Sequence, residues 1–164
     1  VYTVRILTLD DAFEIVAWRY DPPYQLYNMT SVNASKDEMA RMADFLLDPT
    51  TGHFAVEENG QLLAFCCFGE EAQVPGYDYT QIEALDVGAG MHPMYTGQGR
   101  GRALMAAILA FGQKTYDPPC WRTTVATFNL RSQQMCRNAG FIPMATFTSA
   151  TQDPREFVVM IKEG

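Results

Sequence analysis

The stretch Met91-His92-Pro93-Met94-Tyr95-Thr96-Gly97-Gln98-Gly99-Arg100-Gly101-Arg102-Ala103-Leu104 decides how the rest of the chain is read. An apolar run leads into it, glycines stand at alternate positions 97, 99 and 101, and apolar residues then continue to Tyr116. A strand, a tight turn and a helix therefore follow one another directly. Glycines let backbone approach a ligand closely, and the free N–H groups of a first helical turn, at the positive end of the helix dipole, favour phosphate oxygens. Arg100 and Arg102 add positive charge beside them. Two common phosphate-binding patterns are excluded. A Walker loop needs Gly-Lys-Ser/Thr, and a dinucleotide fingerprint needs a glycine where Arg102 stands and an acid near Trp121. Turns of this kind also serve packing alone, and the residues by themselves leave both readings open.

Outward from the turn, residues 4–9 alternate as a strand and Asp10-Asp11 offers capping for a helix over 12–20. Pro22-Pro23 opens an aromatic loop. Ser35, with Glu38 three residues on, heads a second helix that Pro49 stops. Strands over 53–57 and 62–68 flank Asn59-Gly60, a strong hairpin signal. Residues 82–91 form the next strand, 101–116 a long helix and 123–127 a β-branched strand. A helix over 130–138 and strands over 141–147 and 157–161 complete the order βααβββαβαββ, without repeat or linker. The expectation is one α+β domain, residues 1–164, on a single mixed, mostly antiparallel sheet. The apolar last strand, residues 157–161, is a candidate for pairing across a homodimer; a monomer is the alternative.

The 164 residues are 48% hydrophobic and 19% charged, which excludes disordered and low-complexity classes. A net charge of −7 argues against a surface devoted to nucleic acid or anionic lipid. The longest apolar runs, 62–68 and 103–111, fall well short of the roughly 20 residues of a membrane span. The opening residues lack a signal-peptide pattern, and a cytoplasmic location is expected. Cys66, Cys67, Cys120 and Cys136 make no C-x-x-C pair, and His53 and His92 are the only histidines, so neither a disulfide framework nor a metal site is expected.

Thr96-Gly97-Gln98-Gly99-Arg100-Gly101 resembles the cofactor motif of the GNAT superfamily of acetyl-CoA-dependent N-acetyltransferases, Arg/Gln-x-x-Gly-x-Gly/Ala after the fourth strand. Thr96 stands where the family has Arg or Gln. The run from Val125 to Phe141 is similar to the family's strand, Asn, helix and closing Gly-Phe, and Leu85-Asp86-Val87-Gly88 resembles the branch that includes ribosomal-protein acetyltransferases. The resemblance implies the GNAT fold, with splayed central parallel strands, helices on both sheet faces and the pantetheine arm of acetyl-CoA between the strands. It implies contacts from Gly90, Met91 and Asn129 to the pantetheine, a pyrophosphate seat on Gly97, Gln98, Gly99, Arg100, Gly101 and Arg102, and further cofactor contacts from Thr96 and Ser132. The Met91 N–H would hold the thioester carbonyl and stabilise the tetrahedral intermediate as the amine attacks. Asn129 is equally suited to cap the helix after it.

The family's proton-donating Tyr is matched here by Cys136, which either donates a proton or packs the helix. Asp86 and Glu83 are the candidate bases. The acceptor pocket is expected to draw on Trp18, Tyr24 and Tyr27, with Tyr77 closing its other side, since aromatic faces favour cations. The reading is an N-acetyltransferase acting on a primary amine of a small molecule or a protein N-terminus. Its alternative is an acyl-CoA-binding sensor or scaffold without turnover. The charge divides accordingly. Residues 87–139 carry Arg100, Arg102, Lys114, Arg122, Arg131 and Arg137 against Asp117, a balance of +5, and the remainder carries −12. A basic cofactor half within an acidic remainder suits an anionic coenzyme and a cationic amine.

Overall fold

The computed structural model describes residues Val1–Gly164. Two compact units divide the chain: Val1–Cys67 with Ala89–Gln98, and Phe68–Gly88 with Gly99–Gly164. In the first, strand β1 (Tyr2–Ile6) pairs antiparallel with β2 (His53–Glu58), and β2 with β3 (Gln61–Phe68). Helices α1 (Leu9–Ala17) and α2 (Lys36–Leu47) pack together. Leu7, Ala12, Ile15, Val16, Ala43, Leu46 and Ala55 form the buried cluster between them and the sheet. Asn59 and Gly60 turn the hairpin with φ of 51° and 78°, the left-handed pair that a two-residue turn requires.

Helix α1 begins three residues before the expected position. Thr8 caps it rather than Asp10: the Asp11 N–H donates to Thr8 Oγ1 at 3.1 Å while the Thr8 N–H donates to Asp11 Oδ2 at 2.8 Å. That reciprocal cap ends β1 at Ile6. Arg5 then ties strand to helix, with Nη1 at 2.6 Å from Asp11 Oδ2 and Nε at 2.6 Å from Glu57 Oε2.

The second unit carries β4 (Leu85–Met91) in its opening residues, β5 (Cys120–Ala126), β6 (Ile142–Thr148), β7 (Glu156–Glu163) and helices α3 (Gly101–Tyr116) and α4 (Leu130–Asn138). β4 starts three residues later than the sequence pattern suggests, because 69–84 is a long loop with a single 3-10 turn at Glu70–Ala72. β4 and β5 are parallel and in register at only Leu85↔Trp121 and Asp86↔Arg122. Just past that point the Thr123 hydroxyl donates to the Val87 carbonyl at 2.8 Å. The strands thus part as the resemblance implies. β7 lies between β5 and β6 and is antiparallel to both. Both its edges are occupied, so β7 has no free edge at which a strand of another molecule could pair. The seven strands form one mixed sheet, and the α+β class stands. No helix is long and apolar enough to cross a membrane.

Burial raises the Asp11 pKa, but hydrogen bonds from Arg5 and Thr8 outweigh it and hold the carboxyl below its ordinary value. A carboxylate with a lowered folded-state pKa contributes stability above its unfolded pKa and loses it as pH falls. Asp11→Asn is therefore expected to lower the urea midpoint at pH 7, the difference from the parent shrinking between about pH 5 and about pH 2. Urea titrations across that range check it.

Candidate active site

The glycine turn is fastened by its own side chains. His92 accepts the Met94 N–H on Nδ1 at 3.1 Å and so caps the 3-10 turn Pro93–Tyr95. The Thr96 hydroxyl donates to the Pro93 carbonyl at 2.9 Å, and Gln98 Nε2 to the Met94 carbonyl at 2.8 Å. Both of these side chains brace the turn. Gly97 and Gly99 have φ of 72° and 75°, the left-handed conformation that admits glycine most readily, and a Cβ on Gly99 would meet nothing within 4 Å. Chain then passes into α3, whose first residues carry no side-chain cap. The other three helices are capped, by Thr8, Ser35 and Asn129.

The first α3 backbone bond runs from the Leu104 N–H to the Arg100 carbonyl, at 3.0 Å. The N–H groups ahead of it belong to the part of a helix that has no intrahelical acceptor. Arg102 is exposed beside them. Gly101 has a different task from its two predecessors. A Cβ there would lie 2.8 Å from Met135 Sδ, so this glycine lets α4 pack closely on α3.

At the end of β4, the ring of Phe65 lies over Gly90, where a Cβ would collide with Cε1 of the ring. The Tyr20 hydroxyl donates to the Met91 carbonyl at 2.7 Å. Burial pushes the Tyr20 phenol well up, so it stays a donor. The His92 N–H donates to the Leu63 carbonyl at 2.8 Å. Trp18 sits beneath this corner, 6% exposed, with ring centroids 5.2 Å from His92 and 6.1 Å from Phe65. Its place in the core corrects its expected role as pocket lining. Tyr24 and Tyr27 form a 3-10 turn, with Tyr27 exposed and set edge-on to Tyr20. In the second unit Tyr77 packs against Tyr79 and Phe147, centroids 5.0 and 5.3 Å away.

Asn129 caps α4 by accepting the Ser132 N–H at 3.1 Å. Between β5 and this cap, Thr127 Oγ1 is buried without a hydrogen-bond partner, a polar atom that sequence reasoning passed over. Cys136, on the same helix, is 1% exposed, and burial pushes its thiol up to about 11, against the lowering effect of Arg137. It packs the helix, which corrects its candidacy as general acid.

Of the candidate bases, Glu83 is exposed and lies in the loop before β4. Asp86 is 3% exposed and bound on both oxygens: Oδ1 to Arg122 Nε at 2.7 Å, Oδ2 to Arg122 Nη2 at 2.7 Å and to Gln73 Nε2 at 2.9 Å. The carboxylate is thus engaged in a buried, bidentate ion pair. Arg122, Gln73 and Tyr20 carry no motif signal; only long-range pairing brings them forward.

A parallel pair that parts, followed by a glycine turn and a helix without a side-chain cap, is the arrangement that the resemblance to the GNAT superfamily implies. The family model of the acetyltransferase (GNAT) family matches residues 12–141, and the chain belongs to that family. Family members take the acetyl group from acetyl-CoA, and the chain is by membership an acyltransferase. No curated protein sequence matches it. Among solved structures it is similar to a chimera of the Vibrio cholerae spermidine N-acetyltransferase SpeG and hSSAT. That match has a TM-score of 0.75 and 16% identity, covering 99% of this chain and 95% of the other. It is also similar to the aminoglycoside acetyltransferase AAC(6')-Ib in complex with coenzyme A, with a TM-score of 0.76, 14% identity and coverage of 99% and 95%. A third is yncA from Salmonella typhimurium with acetyl-CoA, with a TM-score of 0.66, 17% identity and coverage of 99% and 93%. At these identities the likeness is one of fold.

Cys66, Cys67 and Cys136 are buried and Cys120 is half-buried, with burial raising its thiol as well. Titration of the native protein with a disulfide reagent is expected to modify Cys120 first, the others reacting only on unfolding. Cys136→Ala should leave the shape of the pH–rate profile unchanged while lowering stability by about 1–2 kcal/mol. Thiol counting and a pH series on the variant check both.

Proposed function

We propose that the protein transfers an acetyl group from acetyl-CoA to a primary amine of a small molecule or a protein N-terminus. The observation that carries this is the uncapped N-terminus of α3 behind two glycines in the left-handed conformation. Backbone N–H groups of residues 99–103 would receive the pyrophosphate, with Arg100 and Arg102 supplying charge. The residues fit the coenzyme in a second respect. The buried, partnerless Thr127 hydroxyl follows the stretch where β5 has left β4, on the side of the chain that the resemblance gives to pantetheine. Asn129 and Ser132 follow it.

Acetyl-CoA brings an activated thioester; the chain's task is to hold and orient it and to exclude competing water. Met91, with one lone pair of its carbonyl taken by Tyr20, would offer its N–H to the thioester carbonyl. With Cys136 buried and Asp86 paired, proton removal from the amine falls to water, and the thiolate leaves without a side-chain acid. The similar solved structures give acceptor classes to test: spermidine from the name of one enzyme, and ribostamycin bound with coenzyme A in another.

A coenzyme A-release assay with acetyl-CoA against spermidine, ribostamycin and peptides with free N-termini tests the function. Release with at least one amine is expected. Coenzyme A binding with no release from any amine would instead support a binding module. Gly99→Asp places a negative charge in the cradle at a position with open space and a backbone that Asp and Asn tolerate better than other side chains. Calorimetry is expected to show coenzyme A affinity reduced by at least about tenfold in Gly99→Asp and much less in Gly99→Asn. Equal affinities in the two folded variants would contradict the pyrophosphate assignment.

A further inference from the structure

The loop of residues 69–84 has one 3-10 turn and little else of its own to hold it, yet a single buried side chain fixes it at several points. Arg122 Nη1 donates to the carbonyls of Tyr79 and Ile82 at 3.1 and 3.0 Å, while Nε and Nη2 clasp Asp86. The guanidinium also lies 4.9 Å from the centre of the Tyr79 ring. The Tyr79 hydroxyl in turn accepts the Val74 N–H at 3.0 Å and bonds to Thr124 Oγ1 at 2.9 Å. Gln73 reaches back to Asp86. Every branch of this network ends on the loop or on the strand beneath it, and together they wall a cavity of about 400 Å³. Arg122 and Asp86 line its floor, and Glu70 and Glu83 stand exposed at its rim.

We propose that Asp86 and Arg122 are positioning residues for the acceptor, shaping this cavity as the seat of a cationic amine, and that Asp86 does not act as the base. The inference rests on the acetyltransferase reading. Both Asp86 oxygens are engaged, Oδ1 by Arg122 Nε and Oδ2 by Arg122 Nη2 and Gln73 Nε2, and the group is buried, so it is held in the wall of the cavity and not presented to a proton in transit. The pair acts through the loop: breaking the clasp frees the Tyr79 and Ile82 carbonyls and with them the cavity wall. The rim carboxylates set the charge of the occupant, and the aromatic ring of Tyr79 supplies a face for its methylenes.

The test separates acceptor from coenzyme and shape from proton transfer. Arg122→Lys keeps the charge and loses the forked geometry. Because a broken buried pair can unfold the domain, a double variant, Asp86→Asn with Arg122→Gln, replaces the ion pair by amides able to hydrogen-bond each other. For whichever of spermidine, ribostamycin or a peptide N-terminus the parent protein acetylates fastest, the acceptor KM should rise by about tenfold or more in both variants. Coenzyme A affinity by calorimetry should stay within about twofold, and kcat at saturating acceptor should keep the parent's pH dependence. Acceptor KM unchanged in either folded variant would overturn the proposal. So would a double variant whose kcat collapses and loses its acid limb, the signature of a missing base. Absence of coenzyme A binding and turnover in the parent would refute the underlying acetyltransferase reading instead, and the two failures are read from different proteins.

Discussion

The parallel pairing of β4 and β5 lasts two residues, and the buried Asp86–Arg122 ion pair stands at the place where it ends. Much else follows from that constraint. A parallel strand that leaves its partner exposes backbone polar groups that must find other bonds or water. Here the Thr123 hydroxyl takes the next carbonyl, and the Thr127 hydroxyl is left with no partner at all. An orphaned buried hydroxyl costs about 1–3 kcal/mol. A ligand amide that reached the hydroxyl would recover that cost, and on this ground the orphaned atom supports the proposed coenzyme site.

The turn after β4 is built on the same economy of donors. Its side chains, His92, Thr96 and Gln98, bond to the turn's own backbone and hold its shape, so that recognition is left to main-chain N–H groups. This explains why Thr96 can replace the Arg or Gln of the family motif. That position supplies a brace to Pro93, and the amides behind it are unaffected. Electrostatics point the same way, since residues 87–139 carry +5 within a chain of net −7.

Local chemistry was legible in the sequence. The bounds of α3 and α4, the Ser35 cap and the Asn59-Gly60 hairpin follow from short-range rules and appear where expected. Long-range pairing was not. Asp86 meets Arg122 across 36 residues and Tyr20 meets Met91 across 71, and no spacing rule announces either contact. The same limit explains the last strand: an apolar run that reads as an edge lies between two partners. Glycines show it most finely. Gly99 faces open space as a ligand contact should, whereas Gly101, two residues on in the same motif, is needed because Met135 packs against it. The aromatic residues split likewise, with Trp18 in the core and Tyr27 at the surface.

In the proposed function, main-chain N–H groups at the start of α3 would receive the coenzyme's pyrophosphate. Residue-resolved amide hydrogen exchange, with and without coenzyme A, tests it most directly. Slowed exchange at residues 99–103 is expected when coenzyme A is added, and no slowing there with adenosine, which lacks the phosphates. Unchanged exchange across 99–103 in a protein saturated with coenzyme A would contradict it.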